Sequence, residues 1–227
     1  MSEDALAAIR VIGILGGTGK EGKGLAYRWA KAGLKVLIGS RAIEKAQAAA
    51  QEVNDLLHQP GQVEGFENLS VAEKSDLVVM TVPFAVHREM LETIKAAVQG
   101  KILIDVTVPL VPPRVTRVQM PPAGSAAQEA QQILGDGVQV ASAFQNISYE
   151  HLLHDEPVDC DVLVCGSSKS TRGTALALVH AAGLIGWDAG PLENSVIAEG
   201  LTSILIGLNK QFGTQSAGIR ITGVPRE

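Results

Sequence analysis

The sequence predicts an α/β protein on three observations. Short Val-, Ile- and Leu-rich runs alternate with longer amphipathic stretches, a glycine-rich turn follows the first apolar run directly, and 24 glycines are spread over 227 residues. Strands buried on both faces of a parallel sheet are apolar throughout, and each return to the next parallel strand needs a crossover of helical length. The class is therefore a doubly wound, mostly parallel Rossmann sheet over residues 1–143. A smaller C-terminal extension, residues 144–227, can pack as one unit with it.

The apolar runs place strands at residues 10–15, 35–39, 62–66, 77–81, 101–105, 139–143, 162–165 and 186–189. Helical periodicity covers 22–32, 43–57, 84–98, 125–134 and 170–182. The last apolar segment, 195–208, is nearly uniformly hydrophobic, so it is expected to be a helix buried against the sheet or against a second subunit, which points to a homodimer. Five prolines between residues 108 and 124 exclude regular helix or central strand there. That stretch is a loop leaving a strand end, where open α/β sheets bind their ligands.

Composition narrows the function classes. With 46% hydrophobic and 19% charged residues the chain is globular rather than disordered. A formal net charge of −5 argues against a nucleic-acid partner, which would call for clustered Lys and Arg. The two cysteines, Cys160 and Cys165, lie in an apolar run with no further Cys or nearby His to complete a metal set, and are expected to be buried thiols. Residues 1–4 carry acid where a secretory signal needs base, and no segment approaches the roughly 20 apolar residues of a membrane helix. A cytoplasmic protein with no membrane partner is expected.

The chemistry starts at Gly17, Gly19 and Gly22, a G-x-G-x-x-G match that follows a strand and opens a helix. In such a loop Gly17 permits the tight turn, Gly19 lets the backbone approach a pyrophosphate, and Gly22 lets the helix pack closely on its strand. The helix N-terminus offers free N–H groups and a positive dipole end to the phosphates. Glycines that merely turn a strand into a helix remain the plainer alternative. The second strand ends in Gly39-Ser40-Arg41, without the acid that clamps the ribose 2′-hydroxyl of NAD. Ser40 can donate a hydrogen bond and Arg41 a bidentate cationic fork to a 2′-phosphate, so NADP is the expected dinucleotide. Lys45, spaced one helical turn after Arg41, can add charge or stand as an ordinary solvated lysine. The segments Thr81-Val82-Pro83-Phe84 and Asp105-Val106-Thr107-Val108-Pro109 end the fourth and fifth strands, where the nicotinamide half of the cofactor would pass, with Pro83 and Pro109 stiffening the turns. His87, without a partner motif, is expected to be a structural or surface residue rather than an acid–base group.

Leu15-Gly-Gly-Thr-Gly, Gly39-Ser-Arg-Ala-Ile-Glu-Lys-Ala, Thr81-Val-Pro and Asp188-Ala-Gly-Pro-Leu-Glu-Asn-Ser together resemble the family of NADPH:coenzyme F420 oxidoreductases. Ser125-Ala-Ala, the strand Asp161-Val-Leu-Val-Cys-Gly and the tail Ser216-Ala-Gly-Ile-Arg extend the resemblance over nearly the whole chain. It implies an oxidoreductase that passes a hydride between the nicotinamide C4 of NADP(H) and C5 of the deazaflavin coenzyme F420. Stacked rings need positioning more than an acid or base, so no catalytic side chain and no metal is implied. By the resemblance Thr18, Gly19, Lys20, Glu21, Ser40, Arg41, Lys45, Val82 and Val108 contact NADP. Gln145, Ile147, Ser148, Tyr149 and the tail around Ala217 form the deazaflavin pocket. Gln145 and Ser148 stand where archaeal members carry His and Pro. Gln145 can bond the ring edge but cannot titrate. The competing readings are an NADPH-dependent flavin or metal reductase and a non-enzymatic NADP sensor.

Overall fold

The computed structural model describes residue 6 and residues 8–225, so the acidic residues 1–4 lie outside the described residues. Eight strands carry the fold: β1 (Val11–Leu15), β2 (Lys35–Ser40), β3 (Val63–Glu67), β4 (Leu77–Met80), β5 (Ile102–Asp105), β6 (Gln139–Ser142), β7 (Asp161–Gly166) and β8 (Ile185–Pro191). Seven helices accompany them: α1 (Lys20–Lys31), α2 (Ile43–Leu57), α3 (Asn68–Lys74), α4 (His87–Ile94), α5 (Ala126–Leu134), α6 (Lys169–Ala181) and α7 (Ser195–Phe212). All eight strands fall where the apolar runs predict them: the six inner strands are apolar through their middles because both faces are covered, whereas the edge strands β3 and β8 carry Glu64 and Asp188.

The strands form one sheet in the order β3-β2-β1-β4-β5-β6-β7-β8. The first six run parallel, β7 pairs antiparallel with β6, and β8 runs parallel to β7. Between β7 and β8 the register shifts at Val164/Cys165. Chain order reverses direction between β1 and β4, which opens a crevice at the carboxyl ends of these two strands. One face of the sheet carries a large apolar cluster that includes Ile12, Ile14, Trp29, Val79, Phe144 and Leu178, and the other a smaller one around Leu15, Val78, Met80, Leu91 and Ala130. Trp29 is fully buried, donates its indole N–H to the Leu178 carbonyl at 2.8 Å, and meets the Phe144 ring edge-on at 5.8 Å.

Three helices depart from the sequence expectation. The periodic stretch 84–98 divides into a 3-10 turn, Phe84–Val86, and the shorter α4, because Val86 takes a non-helical backbone angle and turns continue from residue 95 to a left-handed Gly100. The helix α3 was not expected, being only seven residues and mostly polar. The last helix runs four residues past 208 and stops at Gly213, whose φ of 65° supplies the left-handed cap. Its buried side is mostly small or polar: Ser195, Ala198, Glu199, Gly200, Ser203 and Leu205. Cys160 and Cys165 are both buried free thiols.

Glu199 docks α7 onto the start of α5. Its fully buried carboxyl accepts the backbone N–H groups of Ala126 at 2.7 Å and Ala127 at 3.1 Å, two of the orphan donors at the start of α5, while Ser195 and the N-cap Ser125 share a hydroxyl bond of 2.7 Å. Glu199→Ala is expected to lower unfolding free energy by roughly 2–4 kcal/mol, one or two buried donors left unpaired at about 1–3 kcal/mol each. Urea titration followed by tryptophan fluorescence checks this, and a loss below about 0.5 kcal/mol would mean the carboxyl anchors nothing.

Candidate functional site

The loop between β1 and α1 is held from three sides. Gly17 donates its N–H to the Gly39 carbonyl at 3.0 Å, which ties the loop to the end of β2. Gly16 donates to Asn68 Oδ1 at 3.0 Å, so the unexpected helix α3 supports the loop through its first residue. Thr81 bonds the Leu15 carbonyl at 3.0 Å through both its N–H and its hydroxyl, fixing the end of β4 against β1. The tight turn itself falls on Gly16, with φ of 67°, rather than on Gly17 as the motif predicts. Gly17 serves instead for close approach: a Cβ on Gly22 would stand 2.5 Å from the Gly17 Cα. A Cβ on Gly19 would meet nothing within 4 Å, so the backbone there faces open space that a ligand can enter. The start of α1 has no side-chain cap, which leaves its first N–H groups available to an anion. These features fit a pyrophosphate.

Ser40 ends β2 buried, its Oγ 3.3 Å from the Ala42 N–H, and Arg41 and Lys45 stand exposed beside it with no ion-pair partner among the described residues. Because α2 begins at Ile43, Arg41 precedes the helix, and the pair does not share a helical face as its spacing predicts. Lys20 points the other way, bonding Glu150 at 2.8 Å with its ammonium 5.0 Å from the Tyr149 ring centre.

A cavity of about 770 Å³ opens at the carboxyl ends of β4 and β5, within the size range of small-molecule sites. It brings together Glu21, Val82, Pro83, Val108, Gln145, Ile147, Ser148, Tyr149 and Ala217 from the sequence-derived set. Gly17, Thr18, Gly19, Lys20, Gly22, Ser40, Arg41 and Lys45 lie outside its wall, along the start of α1 and the end of β2. The long proline-rich loop contributes Leu110, Pro112 and Val115, as its place after β5 predicts.

The far wall is built by the segment after β6. Phe144, at φ of 74°, takes the left-handed conformation that a bulky residue adopts only when its surroundings impose it. The turn it makes sends Gln145 into the cavity wall. Gln145 Nε2 donates to the Asp105 carbonyl at 2.8 Å and to Ser142 Oγ at 2.9 Å, which fixes the orientation of the amide, and its Oε1 is buried with no partner. That orphaned acceptor fits a ligand N–H. Thr202 of α7 donates its hydroxyl to the Gln145 carbonyl at 2.8 Å, Asn146 donates to the Ala198 carbonyl at 2.9 Å, and Ser148 reaches the Gln215 carbonyl at 2.7 Å. Asn209 Oδ1 accepts the Ala217 N–H at 2.9 Å and holds the tail in place.

Behind β5 lies a buried ionic group that sequence reasoning missed. His87 Nε2 sits 2.7 Å from Asp105 Oδ2, His87 Nδ1 is 3.5 Å from Glu129 Oε1, and Arg88 reaches Glu129 at 3.1 Å. His87 is thus a fully buried structural residue with partners distant in sequence. Desolvation alone would lower its pKa, but the two carboxylates outweigh this and raise it, favouring the imidazolium. Desolvation, reinforced by the charge of Asp105, pushes Glu199 up to about 8.

The arrangement leaves room for a dinucleotide along the loop and for a ring in the cavity. Residues 11–109 match the family model described as NADP oxidoreductase coenzyme F420-dependent. The F420-dependent NADP reductase of Methanocaldococcus jannaschii is 39% identical over 221 residues, covering 94% of this chain and 98% of that protein. That of Methanothermobacter marburgensis is 41% identical over 221 residues, covering 94% and 99%. Among solved structures, a protein from Arthrobacter sp. FB24 superimposes with a TM-score of 0.77 at 24% identity, covering 95% of this chain and 100% of that one. The Plasmodium falciparum pyrroline carboxylate reductase with NADP bound shares the fold at a TM-score of 0.54 and 13% identity, covering 79% of this chain and 58% of that one. The identity shared along nearly the full length with two such reductases decides the matter: the chain belongs to the family of F420-dependent NADP reductases.

Proposed function

We propose that the protein transfers a hydride between NADP(H) and the deazaflavin coenzyme F420. The observation that carries this is the cavity at the carboxyl ends of β4 and β5, whose near wall is those strand ends with Glu21 from the start of α1 and whose far wall is Gln145–Tyr149 with the tail. Residues 1–143 serve the nucleotide and residues 144–227 the deazaflavin. Gly17, Gly19 and Gly22 with the free N–H groups of α1 take the pyrophosphate, joined by Thr18 and Lys20, whose pairing with Glu150 yields to the phosphate. Ser40, Arg41 and Lys45 take the 2′-phosphate. Val82, Pro83 and Val108 pack against the nicotinamide, and Ile147, Ser148, Tyr149 and Ala217 frame the deazaflavin. Bound together, the two rings supply the hydride donor and acceptor, and the residues around them align the rings and exclude water. The apolar stripe Ile197, Ile204, Leu208 and Phe212 on the outer side of α7, with Phe212 70% exposed, supports a homodimer closed over this helix. No helix among the described residues is long and apolar enough to cross a membrane, which supports a cytoplasmic enzyme.

Purified protein given NADPH with either coenzyme F420 or FMN tests the reading by absorbance. Deazaflavin reduction is expected, and turnover of FMN without turnover of deazaflavin would replace it with a general flavin reductase. Arg41→Ala is expected to weaken NADPH by about 10–150-fold, equivalent to about 1.5–3 kcal/mol for a hydrogen bond to a charged group, with NADH binding almost unchanged. Equal losses for both nucleotides in calorimetry would remove the 2′-phosphate role. Gln145→Leu is expected to raise the KM for deazaflavin about 2–12-fold, the value of one hydrogen bond, while the NADPH Kd moves less than about 2-fold. A parallel loss of both would make Gln145 a support of the fold alone.

A further inference from the structure

Glu21 occupies the second of the two positions between Gly19 and Gly22, in the first turn of α1. Its side chain lines the cavity, yet it makes no hydrogen bond or ion pair with the described residues. The charges near it are otherwise engaged. On its own helix Lys20 is bonded to Glu150, and Lys23 is held by both oxygens of Glu52 on α2. Tyr149 is the only other titratable side chain in the cavity wall, and no lysine, arginine or histidine among the described residues lines it. The His87–Asp105 pair stands behind β5, outside that wall. Among the described residues Glu21 is therefore the one carboxyl facing the ligand space.

The direction of the dinucleotide says which part of the ligand it faces. The residues proposed for the 2′-phosphate, Ser40, Arg41 and Lys45, lie at and just beyond the end of β2, on one side of β1, and the cavity opens at the ends of β4 and β5 on the other. A nucleotide laid across the loop therefore puts its nicotinamide, not its adenosine, into the cavity that Glu21 lines. This ring changes charge in the reaction: it is a cation in NADP+ and neutral in NADPH. A carboxylate a few ångströms from a cation in a partly apolar cavity is stabilised, and the same carboxylate beside a neutral ring is not.

We propose that Glu21 is the charge partner of the nicotinamide ring, ionised beside the cationic ring of NADP+ and protonated beside the neutral ring of NADPH. This rests on the reading of the cavity as the nicotinamide site. Glu21 is half-buried, and desolvation by the cavity wall raises its carboxyl to about 8, which favours the protonated form while no cation faces it. Binding of NADP+ then expels that proton to solvent, whereas binding of NADPH keeps it. Glu21 thereby couples the oxidation state of the ring to one proton, and it favours NADP+ increasingly as pH rises.

The experiment is calorimetric titration of the full chain with NADP+ and with NADPH at pH 7, in two buffers of different ionisation enthalpy, for wild type and Glu21→Gln. The 2′-phosphate is common to both nucleotides, so its own protonation cancels in their difference. In the wild type NADP+ is expected to release close to one proton more than NADPH. In Glu21→Gln that difference is expected to vanish and the preference for NADP+ over NADPH to fall about 10-fold, with NADPH binding retained as the sign that the variant is folded. Equal proton release by both nucleotides in the wild type, or an undiminished difference in Glu21→Gln, would overturn the proposal. Failure of the wild type to bind either nucleotide would overturn the nucleotide site itself, a distinct outcome. Glu21→Leu, which cannot titrate or donate, is expected to repeat the Gln result in proton release and to lose NADP+ affinity further.

Discussion

Asp105 is the point on which the site depends. It ends the central strand β5 fully buried, its carboxylate holds His87 at the start of α4 and the Thr107 N–H in the loop, and its carbonyl accepts the Gln145 amide. One residue thus fixes three parts of the cavity: the turn after β4, the loop after β5 and the segment after β6. A buried carboxylate is tolerable only when paired and hydrogen-bonded, and the imidazolium of His87 supplies the pairing. Glu129, with Arg88 at its other oxygen, completes a chain of alternating charges that runs from beneath the cavity to the surface. The walls are positioned by polar bonds in the interior, while the surfaces they present to a ligand are largely apolar.

The six inner strands were legible in the sequence because burial on both faces imposes a nearly continuous apolar run, which composition shows without knowledge of neighbours. The crossover helices were legible where they were long, as in α2, which spans the predicted residues 43–57. The short α3 was not, and with it went Asn68, whose side chain supports the phosphate loop; seven residues give too few turns for periodicity to register. The glycine motif located the loop but misassigned the left-handed residue, since the pattern fixes spacing and not which glycine carries the positive φ. His87 and Glu199 were illegible for another reason. Their partners lie 18 and 73 positions away, so nothing local distinguishes them from surface charges.

The far wall shows where motif reasoning ends and family resemblance takes over. Nothing in the spacing of Gln145, Ser148 or Ala217 marks a pocket; they meet because Phe144 adopts a left-handed turn and because α7 and the tail fold back over β6 and β7. Thr202 and Asn209, which hold that wall from α7, carry no sequence signal of their own. The glycine loop beside the cavity is different. Its residues follow from the geometry of a loop between a strand and a helix, and the same geometry recurs wherever such a loop meets a diphosphate.

The two outermost strands have a consequence for how copies of the chain can meet. An unpaired strand edge is a template for intermolecular pairing unless it is blunted. At one edge β3 is five residues long and carries Glu64 and Glu67. At the other, the register shift beside β8 interrupts a regular ladder, Asp188 is held by Arg172 at 2.6 Å, and Pro191 ends the strand without an N–H to offer. Both borders of the sheet are thus protected against strand-to-strand growth into fibrils.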